Sequence, residues 1–388
     1  MSTRVLIAFD KFKDALTAQR AGAIAARELG RLRPDWIVDC VPVTDGGDGF
    51  VRILTEAAAG AIITVPSTGP RLEAIDAPLG FVEWDRLPAT ARALLPVSGD
   101  RGGRVAVIEM AAVNGLTLLP LEARDPWYAT SVGTGRLIRT AAELGATAIL
   151  LGVGGSATND LGIGALSALG FVFRDANAGK FDPPFPATWE RITEVEGELL
   201  ASIPPLTIAC DVSNPLLGPN GAAAVYGPQK GLCAADLPRY EAQAAWMADL
   251  LCRHCGRDLA AMIGEPGAGA AGGIAFGLMA AAQARLVPGF DLVAAWLQLD
   301  AKIVAADIVI TGEGRFDTSS LAGKGPGEIV RRARAAGRRA VVFAGTVDAE
   351  TAVRDVEVVA ITPLESPLDV ALAQADRNLA AAVARWAS

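Results

Sequence analysis

Charged side chains follow four of the apolar segments that the sequence predicts to be strands. They are Asp10 and Lys13 after residues 5–9, Asp45 with Gly46 and Gly47 after residues 36–43, Asp211 after residues 206–209, and Glu313 with Arg315 after residues 308–311. Parallel α/β sheets bind ligands at the carboxyl ends of their strands, so these side chains are candidates for ligand contacts. Taken singly, each loop also fits a plain structural interpretation, because Asp and Gly are common turn formers.

A further candidate is the glycine-rich segment 148–170. Its apolar run at 148–153 predicts a buried strand, and apolar residues at helical spacing from Leu161 onward predict a helix. Between them lie Gly154, Gly155, Ser156, Ala157, Thr158, Asn159 and Asp160. A strand, a glycine loop and a helix N-terminus form an anion site, because backbone N–H groups point outward and glycine lets a phosphate come close. The segment has no Walker A lysine, and a tight turn without a ligand is the alternative interpretation.

This set of side chains suits phosphoryl transfer. That reaction depends on positioning and on neutralising phosphate charge, with Mg²⁺ held by a few oxygens and a carboxylate near the attacking hydroxyl. Hydride transfer fits less well, because residues 10–14 after the first strand contain no glycine. The single histidine, His254, lies between Cys252 and Cys255, and these three soft ligands are one fewer than a structural zinc site uses. The odd count of five cysteines predicts reduced thiols.

Composition and charge disfavour several classes of partner. The chain of 388 residues has a formal net charge of −8 and no long basic run, which argues against nucleic acid and anionic membranes. No apolar run approaches the ~18 residues that a transmembrane helix needs. The first predicted strand begins so close to Met1 that we expect no signal peptide, and the sequence predicts a cytoplasmic protein.

The order of predicted elements indicates two α/β domains. Strands, loops and helices alternate at both ends of the chain, which is the pattern of a parallel sheet with crossover helices. We therefore expect residues 1–65 and 290–388 to form one Rossmann- or flavodoxin-like α/β domain. Residues 66–289 would form a second α/β domain that is inserted into the first and carries the glycine-rich loop. An irregular insertion is predicted over residues 86–104.

Motifs along nearly the whole chain resemble those of the bacterial glycerate kinases of the two-domain type. They lie at residues 10–16, 44–49, 107–116, 130–135, 152–160, 209–216, 227–231, 266–273 and 311–324. The resemblance implies an enzyme that uses ATP and Mg²⁺ to phosphorylate D-glycerate on its 2-hydroxyl, giving 2-phosphoglycerate and ADP. It also implies the discontinuous two-domain plan, and Lys324, in the last motif, as a substrate-binding residue.

The chain departs from the family pattern at several positions. Lys11 and Asp14 stand where the family usually has serine and glycine, Asp48 replaces a glutamate, and Leu161 replaces a glycine. The segment 86–104 is longer than usual. A kinase of a related small hydroxy or sugar acid is therefore an alternative, as is a non-catalytic sensor of sugar acids or nucleotides on the same scaffold.

The acid substrate and the acceptor chemistry are assigned to a small group of side chains. Lys13 and Arg315 would hold the glycerate carboxylate or the transferring phosphoryl group, because lysine supplies a point charge and arginine a bidentate fork. Asp211, fixed by a rigid Asn-Pro turn, would orient the acceptor hydroxyl or take its proton, with Asp10 and Asp45 as alternatives. The other expected substrate contacts are Asp10, Asp45, Gly46, Gly47 and Lys324.

The nucleotide and the metal are assigned to the glycine-rich loop. Gly154, Gly155, Ser156, Ala157, Thr158 and Asn159 would bind the ATP phosphates. Asp160 lies beside them and would hold Mg²⁺ directly or through water. The expected partners are thus two small molecules, the acid and ATP, and the sequence leaves a monomer or a homodimer open.

Overall fold

A computed structural model describes residues 2–96, 103–317, 320, 325–348, 356–363 and 365–388. The chain divides into two compact units, one formed by residues 1–45 and 293–388 and the other by residues 46–292. Each unit has its own sheet and its own apolar core. The predicted plan of a unit built from both chain ends, with a second α/β unit between them, describes this architecture.

The first unit begins with a strand, a helix and a strand. They are β1 (Arg4–Phe9), α1 (Ala18–Leu32) and β2 (Ile37–Cys40). Five of the six residues of β1 are buried in succession, as expected for a parallel strand that is covered on both faces. Thr17 is the N-cap of α1, because its side chain accepts a hydrogen bond from the backbone N–H of Arg20.

The second unit follows as one continuous segment. Its elements are α2 (Phe50–Ala57), β3 (Ala61–Thr68), β4 (Ala74–Glu83), α3 (Ala89–Arg92), β5 (Arg104–Glu109), α4 (Ala111–Asn114), α5 (Val132–Glu143), β6 (Ala148–Gly152), α6 (Ile163–Ala168), β7 (Val172–Arg174), β8 (Lys180–Phe181), β9 (Glu194–Glu196), β10 (Leu206–Ala209), α7 (Ala222–Tyr226), α8 (Leu237–Cys255), α9 (Leu259–Gly264), α10 (Ala270–Ala282), β11 (Arg285–Val287) and α11 (Gly289–Trp296). The last of these helices continues past the division at residue 292.

The chain then returns to the first unit and completes its sheet. The remaining elements are α12 (Leu299–Ala305), β12 (Ile308–Phe316), α13 (Gly325–Ala335), β13 (Arg339–Val347), β14 (Glu357–Ala360), α14 (Leu368–Ala373) and α15 (Ala375–Ala387).

The sheet of the first unit is wholly parallel, with the strand order β14-β13-β12-β1-β2. Counted along the chain within this unit, the order is that of flavodoxin-like sheets, in which a ligand binds where the strand order reverses. That position lies at the carboxyl ends of β1 and β12. The loop after β1 carries Asp10 and the segment from Lys11 to Asp14, and Glu313 lies near the end of β12.

The larger sheet of the second unit has the strand order β11-β10-β6-β5-β4-β3. The first four strands in this order are parallel, and β4 and β3 add to them in antiparallel fashion. Because β3 pairs with β4, residues 46–65 belong to the second unit, whereas the predicted boundary lies after residue 65. The other boundary follows Leu292 rather than residue 289. A small antiparallel sheet, β8-β7-β9, lies in the same unit.

Each core is built from side chains that the sheets and helices bury within one unit. In the first unit Phe9 makes edge-to-face contacts with Phe12 and Phe343, with ring centroids 5.8 and 6.4 Å apart. In the second unit Trp189 and Tyr240 are fully buried neighbours. Burial of one such aromatic side chain is worth about 2–3 kcal/mol, so these contacts fix the sheets that carry the candidate site.

Several sequence predictions outside the site have clear outcomes. The strand at 206–209 is confirmed, and Cys252, His254 and Cys255 lie in α8. The segment predicted as irregular contains the short helix α3, and its residues 97–102 lie outside the described residues. None of the helices that the structure describes has both the length and the apolar character required to cross a bilayer.

Candidate active site

Three carboxylates and one ammonium group gather at the carboxyl edge of the first unit's sheet. Asp10 follows β1 and is only 7% exposed, and its Oδ1 accepts a hydrogen bond of 2.7 Å from the backbone N–H of Lys11. The Lys11 Nζ lies 3.5 Å from Asp45 Oδ1. Glu313 lies near the end of β12, and its Oε1 is buried without a hydrogen-bond partner. We call Asp10, Asp45, Glu313 and Lys11 the acid cluster.

Burial and mutual repulsion change the proton affinity of the acid cluster. Burial is the largest cause that raises the pKa of Asp10 to about 7, and the negative charge of Asp45 adds to it. Burial likewise raises the pKa of Glu313 to about 7, with smaller contributions from nearby carboxylates. The Lys11 ammonium group lowers both pKa values, but not enough to offset burial. Two carboxyl groups that exchange protons near neutral pH are thus placed where α/β sheets bind ligands.

A cavity of about 590 Å³ opens beside the acid cluster, within the range of small-molecule sites. Besides the acid cluster it is lined by Lys13 and Arg315 and by apolar side chains such as Leu368 and Leu372 of α14. Lys13 is exposed. The guanidinium of Arg315 is also exposed and lies 2.9 Å from Asp348 and 3.5 Å from Asp317. The structure thus brings together five predicted site residues of this unit: Asp10, Lys13, Asp45 and Arg315, with Glu313.

The glycine-rich loop of the second unit packs against the loop that begins at Gly46. The backbone N–H of Gly154 donates a hydrogen bond of 3.0 Å to the carbonyl oxygen of Gly46. A Cβ on Gly154 would come within 2.7 Å of Gly47 Cα, so only glycine allows this approach. Gly155 is exposed and has a φ of +72°, a left-handed conformation that also favours glycine. The predicted contacts Gly46, Gly47, Gly154 and Gly155 therefore lie together.

The rest of the predicted phosphate loop is buried. Ser156, Ala157, Thr158 and Asn159 are each at most 6% exposed. The backbone N–H of Ala157 donates to the carbonyl oxygen of Asn114, and the Ser156 hydroxyl accepts a hydrogen bond from Lys230. These residues support the loop from below, and Gly154 and Gly155 are the part of it that solvent reaches. Their direct contact with phosphate stays a prediction.

Asp160 is completely buried and its carboxylate accepts several hydrogen bonds. Its Oδ2 accepts from the Ser131 hydroxyl at 2.8 Å, from the Ser131 backbone N–H at 2.7 Å and from the Gly164 N–H at 3.2 Å, and its Oδ1 accepts from the Gly162 N–H at 3.2 Å. Burial raises the pKa of Asp160, and these hydrogen bonds oppose that rise. The side chain thus ties the start of α6 to the start of α5. The assignment of Mg²⁺ to Asp160 stays a prediction, and these contacts favour a structural role.

Asp211 is also engaged by backbone. Both of its carboxylate oxygens accept hydrogen bonds from the N–H of Phe290, at 3.1 and 3.0 Å, in the first turn of α11. A carboxylate at the start of a helix is stabilised by the unpaired N–H groups and by the helix dipole. This contact favours Asp211 as an anchor for α11, while its predicted role as the proton acceptor stays a prediction.

The structure, rather than the sequence, identifies two residues as important for the candidate site. Lys230 lies in the family motif at 227–231, which is the only signal in the sequence, and its proximity to Ser156 depends on packing across the second unit. The sequence predicts Glu313 as a carboxylate after the strand at 308–311, whereas the structure places it within β12 with its Oε1 buried. Lys324 lies outside the described residues. Among those that are described, no group of three or more His, Cys, Asp or Glu side chains is arranged to hold a metal.

Two departures from the family pattern share a backbone conformation. Asp14 and Leu161, which stand where the family usually has glycine, have φ angles of +61° and +55°. Asp tolerates the left-handed region better than most residues, whereas a leucine there is strained. Leu161 is 2% exposed and packs in the core of the second unit, so its burial offsets this strain.

Comparisons with known proteins agree on one family. A model of the glycerate kinase family matches residues 5–388. The glycerate 2-kinase of Escherichia coli is 36% identical over 350 residues, which is 89% of this chain and 85% of that protein. A glycerate kinase of Bacillus subtilis is 36% identical over 354 residues, or 90% of this chain and 86% of its own length. A crystal structure of a candidate glycerate kinase 2 from Salmonella typhimurium LT2 has a TM-score of 0.77 and 34% identity, covering 100% of this chain and 98% of that one.

Proposed function

The chain belongs to the glycerate kinase family, and on that premise we propose that it transfers the terminal phosphoryl group of ATP to the 2-hydroxyl of D-glycerate. The observation that carries the proposal is the buried carboxylate of Asp10 beside a cavity that also presents Lys13 and Arg315. A hydroxy acid needs both kinds of group, cations for its carboxylate and a base for its hydroxyl.

Lys13 and Arg315 would bind the carboxylate of glycerate. Both are exposed at the cavity, so their charges can reach a small anion without moving a packed element. Arg315 already lies near Asp317 and Asp348, and these two carboxylates hold its guanidinium in place. An arginine fork pairs with a carboxylate through two parallel hydrogen bonds, which fixes the orientation of the acid.

Asp10 would accept the proton of the attacking hydroxyl. A base with a pKa near 7 is well matched to a reaction at neutral pH, and burial gives Asp10 that value. As the 2-hydroxyl oxygen bonds to the γ-phosphorus, the bond from that phosphorus to the bridging oxygen breaks, ADP leaves, and the proton passes to the Asp10 carboxylate. The negative charge of Asp45 raises the pKa of this carboxylate, and the positive charge of Lys11 lowers it.

The exposed backbone of Gly154 and Gly155 would bind the phosphates of ATP. Its support is the close packing of this loop, whose buried part keeps the two glycines in one conformation. Backbone N–H groups in such a turn are placed to bind anionic oxygens.

The location of the protein in the cytoplasm and its oligomeric state stay predictions.

The acid cluster is also the better candidate for Mg²⁺. This ion is usually bound through one or two carboxylates together with phosphate oxygens and water, and the unpartnered Oε1 of Glu313 is a suitable hard donor. Glu313 would hold the ion, whose contribution would be to neutralise phosphate charge as it develops. Asp160 fits less well, because protein donors already surround its carboxylate.

The test is ADP release coupled to glycerate, with the product identified by ³¹P NMR. We expect ATP- and glycerate-dependent ADP formation and a doublet from a phosphate on the carbon that bears the carboxylate. Lactate, which keeps the 2-hydroxyl, should be accepted more readily than 3-hydroxypropionate, which keeps only the terminal one. Phosphate on the terminal carbon would refute the position, and glycerate binding without ADP formation would indicate a sensor.

A further inference from the structure

A lysine is buried beneath the glycine-rich loop of the second unit. Lys230 is 2% exposed, and its Nζ donates hydrogen bonds of 2.9 Å to the Ser156 hydroxyl and 2.7 Å to the carbonyl oxygen of Thr158. A fully buried lysine is rare, because desolvation of the ammonium group is expensive unless it is paired and hydrogen-bonded. Its two acceptors both belong to the segment that directly follows Gly154 and Gly155.

The local backbone fixes the direction from which Lys230 enters. It ends the short 3-10 turn Pro228–Lys230, which is closed by a hydrogen bond from its own N–H to the carbonyl oxygen of Gly227. Arg124 donates to the carbonyl oxygen of Gln229 and ties this turn to a neighbouring loop. The lysine side chain therefore connects two loops of the second unit that are far apart in sequence.

Charge adds to this connection. Burial lowers the pKa of Lys230 to about 7, and the carboxylate of Asp160 opposes that change. In a buried environment a charge is screened much less than in water, so an ammonium group under a loop raises the electrostatic potential above it. Asp160 accepts hydrogen bonds from Ser131, Gly162 and Gly164, and none of these bonds involves Gly154 or Gly155.

We propose that Lys230 is a positioning residue for the ATP phosphates: it holds Ser156 and Thr158 so that the backbone of Gly154 and Gly155 faces the phosphates. This inference rests on the proposed function for the identity of the ligand. In this proposal the buried part of the loop is held in place by a side chain that does not itself touch the nucleotide. The competing explanation is that Lys230 only compensates the buried charge of Asp160.

The two explanations predict different kinetics for a charge-neutral pair of substitutions. In Lys230→Met combined with Asp160→Asn, both buried charges are removed and the fold has no unpaired ion. If Lys230 positions the loop, the KM for ATP should rise about tenfold or more while the KM for glycerate changes less than about twofold. A role in charge compensation alone predicts that both KM values stay near those of the wild type, and this result would overturn the proposal.

Two further variants keep the test decisive if the double variant does not fold. Lys230→Arg keeps the charge and the donors and should give an ATP KM between the wild-type and double-variant values. Ser156→Ala removes one acceptor and leaves both charges, and should raise the ATP KM about threefold. An ATP KM unchanged in both would also overturn the proposal. Lys180→Met, at an exposed lysine of the same unit, is the matched surface control.

Binding measured by calorimetry separates this inference from the proposed function. ATP affinity should fall in the Lys230 variants whether or not glycerate accepts the phosphoryl group. If the wild type formed no ADP in response to glycerate, the proposed function would be refuted. If folded Lys230 variants kept the wild-type affinity for ATP, the proposed role of Lys230 would be refuted.

Discussion

Replacing Asp10 with asparagine should make the protein more stable at neutral pH and at the same time inactive. Asparagine keeps the shape of the side chain and removes the charge that the first unit buries beside Asp45 and Glu313. The loss of the proton acceptor should lower kcat about 10²-fold or more with glycerate. A gain of stability with a loss of activity is the expected mark of a buried group that is retained for chemistry.

The magnitude follows from the pKa of Asp10 in the folded protein. Burial raises it from 3.8 to about 7, and a difference of one pKa unit between the folded and unfolded states corresponds to about 1.4 kcal/mol. The folded state therefore binds the proton more tightly than the unfolded chain, so stability falls as pH rises from about 4 to about 7 and the loss is complete above 7. The upper limit is ~4 kcal/mol, and we expect about 2 kcal/mol to be recovered, because the buried asparagine amide needs hydrogen bonds of its own.

Urea unfolding at pH 4 and pH 8 measures this difference directly. Asp10→Asn should unfold at a higher urea concentration than the wild type at pH 8, and the difference should be much smaller near pH 4, where the carboxyl of the folded wild type is protonated and uncharged. Asp35→Asn, at an exposed position of the same unit, is the control and should change neither value. A variant that is less stable at both pH values, or that phosphorylates glycerate at the wild-type rate, would refute the reasoning.

Three further substitutions test the assignments of the two units. Gly155→Val should weaken ATP binding measured by calorimetry, because its φ of +72° disfavours a β-branched residue, and unchanged affinity would remove the loop from the site. Lys13→Ala should lower kcat/KM for glycerate at least about tenfold, and wild-type kinetics would exclude Lys13. Asp211→Asn should lower the melting temperature because Phe290 loses its charged partner, while kcat falls less than about threefold; a loss of ~10²-fold without a change in melting temperature would make Asp211 the base instead.

The sequence is informative about the fold wherever a local pattern decides the outcome. The parallel sheet of the first unit follows from apolar runs that alternate with helical segments, and the cap of α1 follows from a threonine before an amphipathic stretch. The boundary near residue 45 is different in kind. It depends on the pairing of β3 with β4, and the sequence of a strand does not determine by itself which sheet the strand joins.

The sequence predicts the types of residue in the candidate site better than it predicts their burial and hydrogen-bond partners. Asp10, Lys13 and Asp45 follow strands of one sheet, Arg315 lies near the carboxyl end of another strand of that sheet, and the topology brings them to one edge. Asp160 and Asp211 also follow strands, but the backbone N–H groups that occupy their oxygens come from residues whose approach depends on tertiary packing. A carboxylate that binds a ligand and one that caps a helix look alike in sequence, and burial and partners distinguish them.

The buried charges of the two units indicate how ligands would affect stability. In the first unit three carboxylates lie with one ammonium group, Lys11, and the raised pKa values of Asp10 and Glu313 show that this arrangement is unfavourable without a proton. A cation bound there would take over the role of the proton, so it should raise the stability of the folded state most above pH 7. In the second unit the Lys230 ammonium group is desolvated, and an anion bound above it would instead favour its charged form. The same buried groups that lower the stability of each unit thus favour a cation at the acid cluster of the first unit and an anion above Lys230 in the second unit.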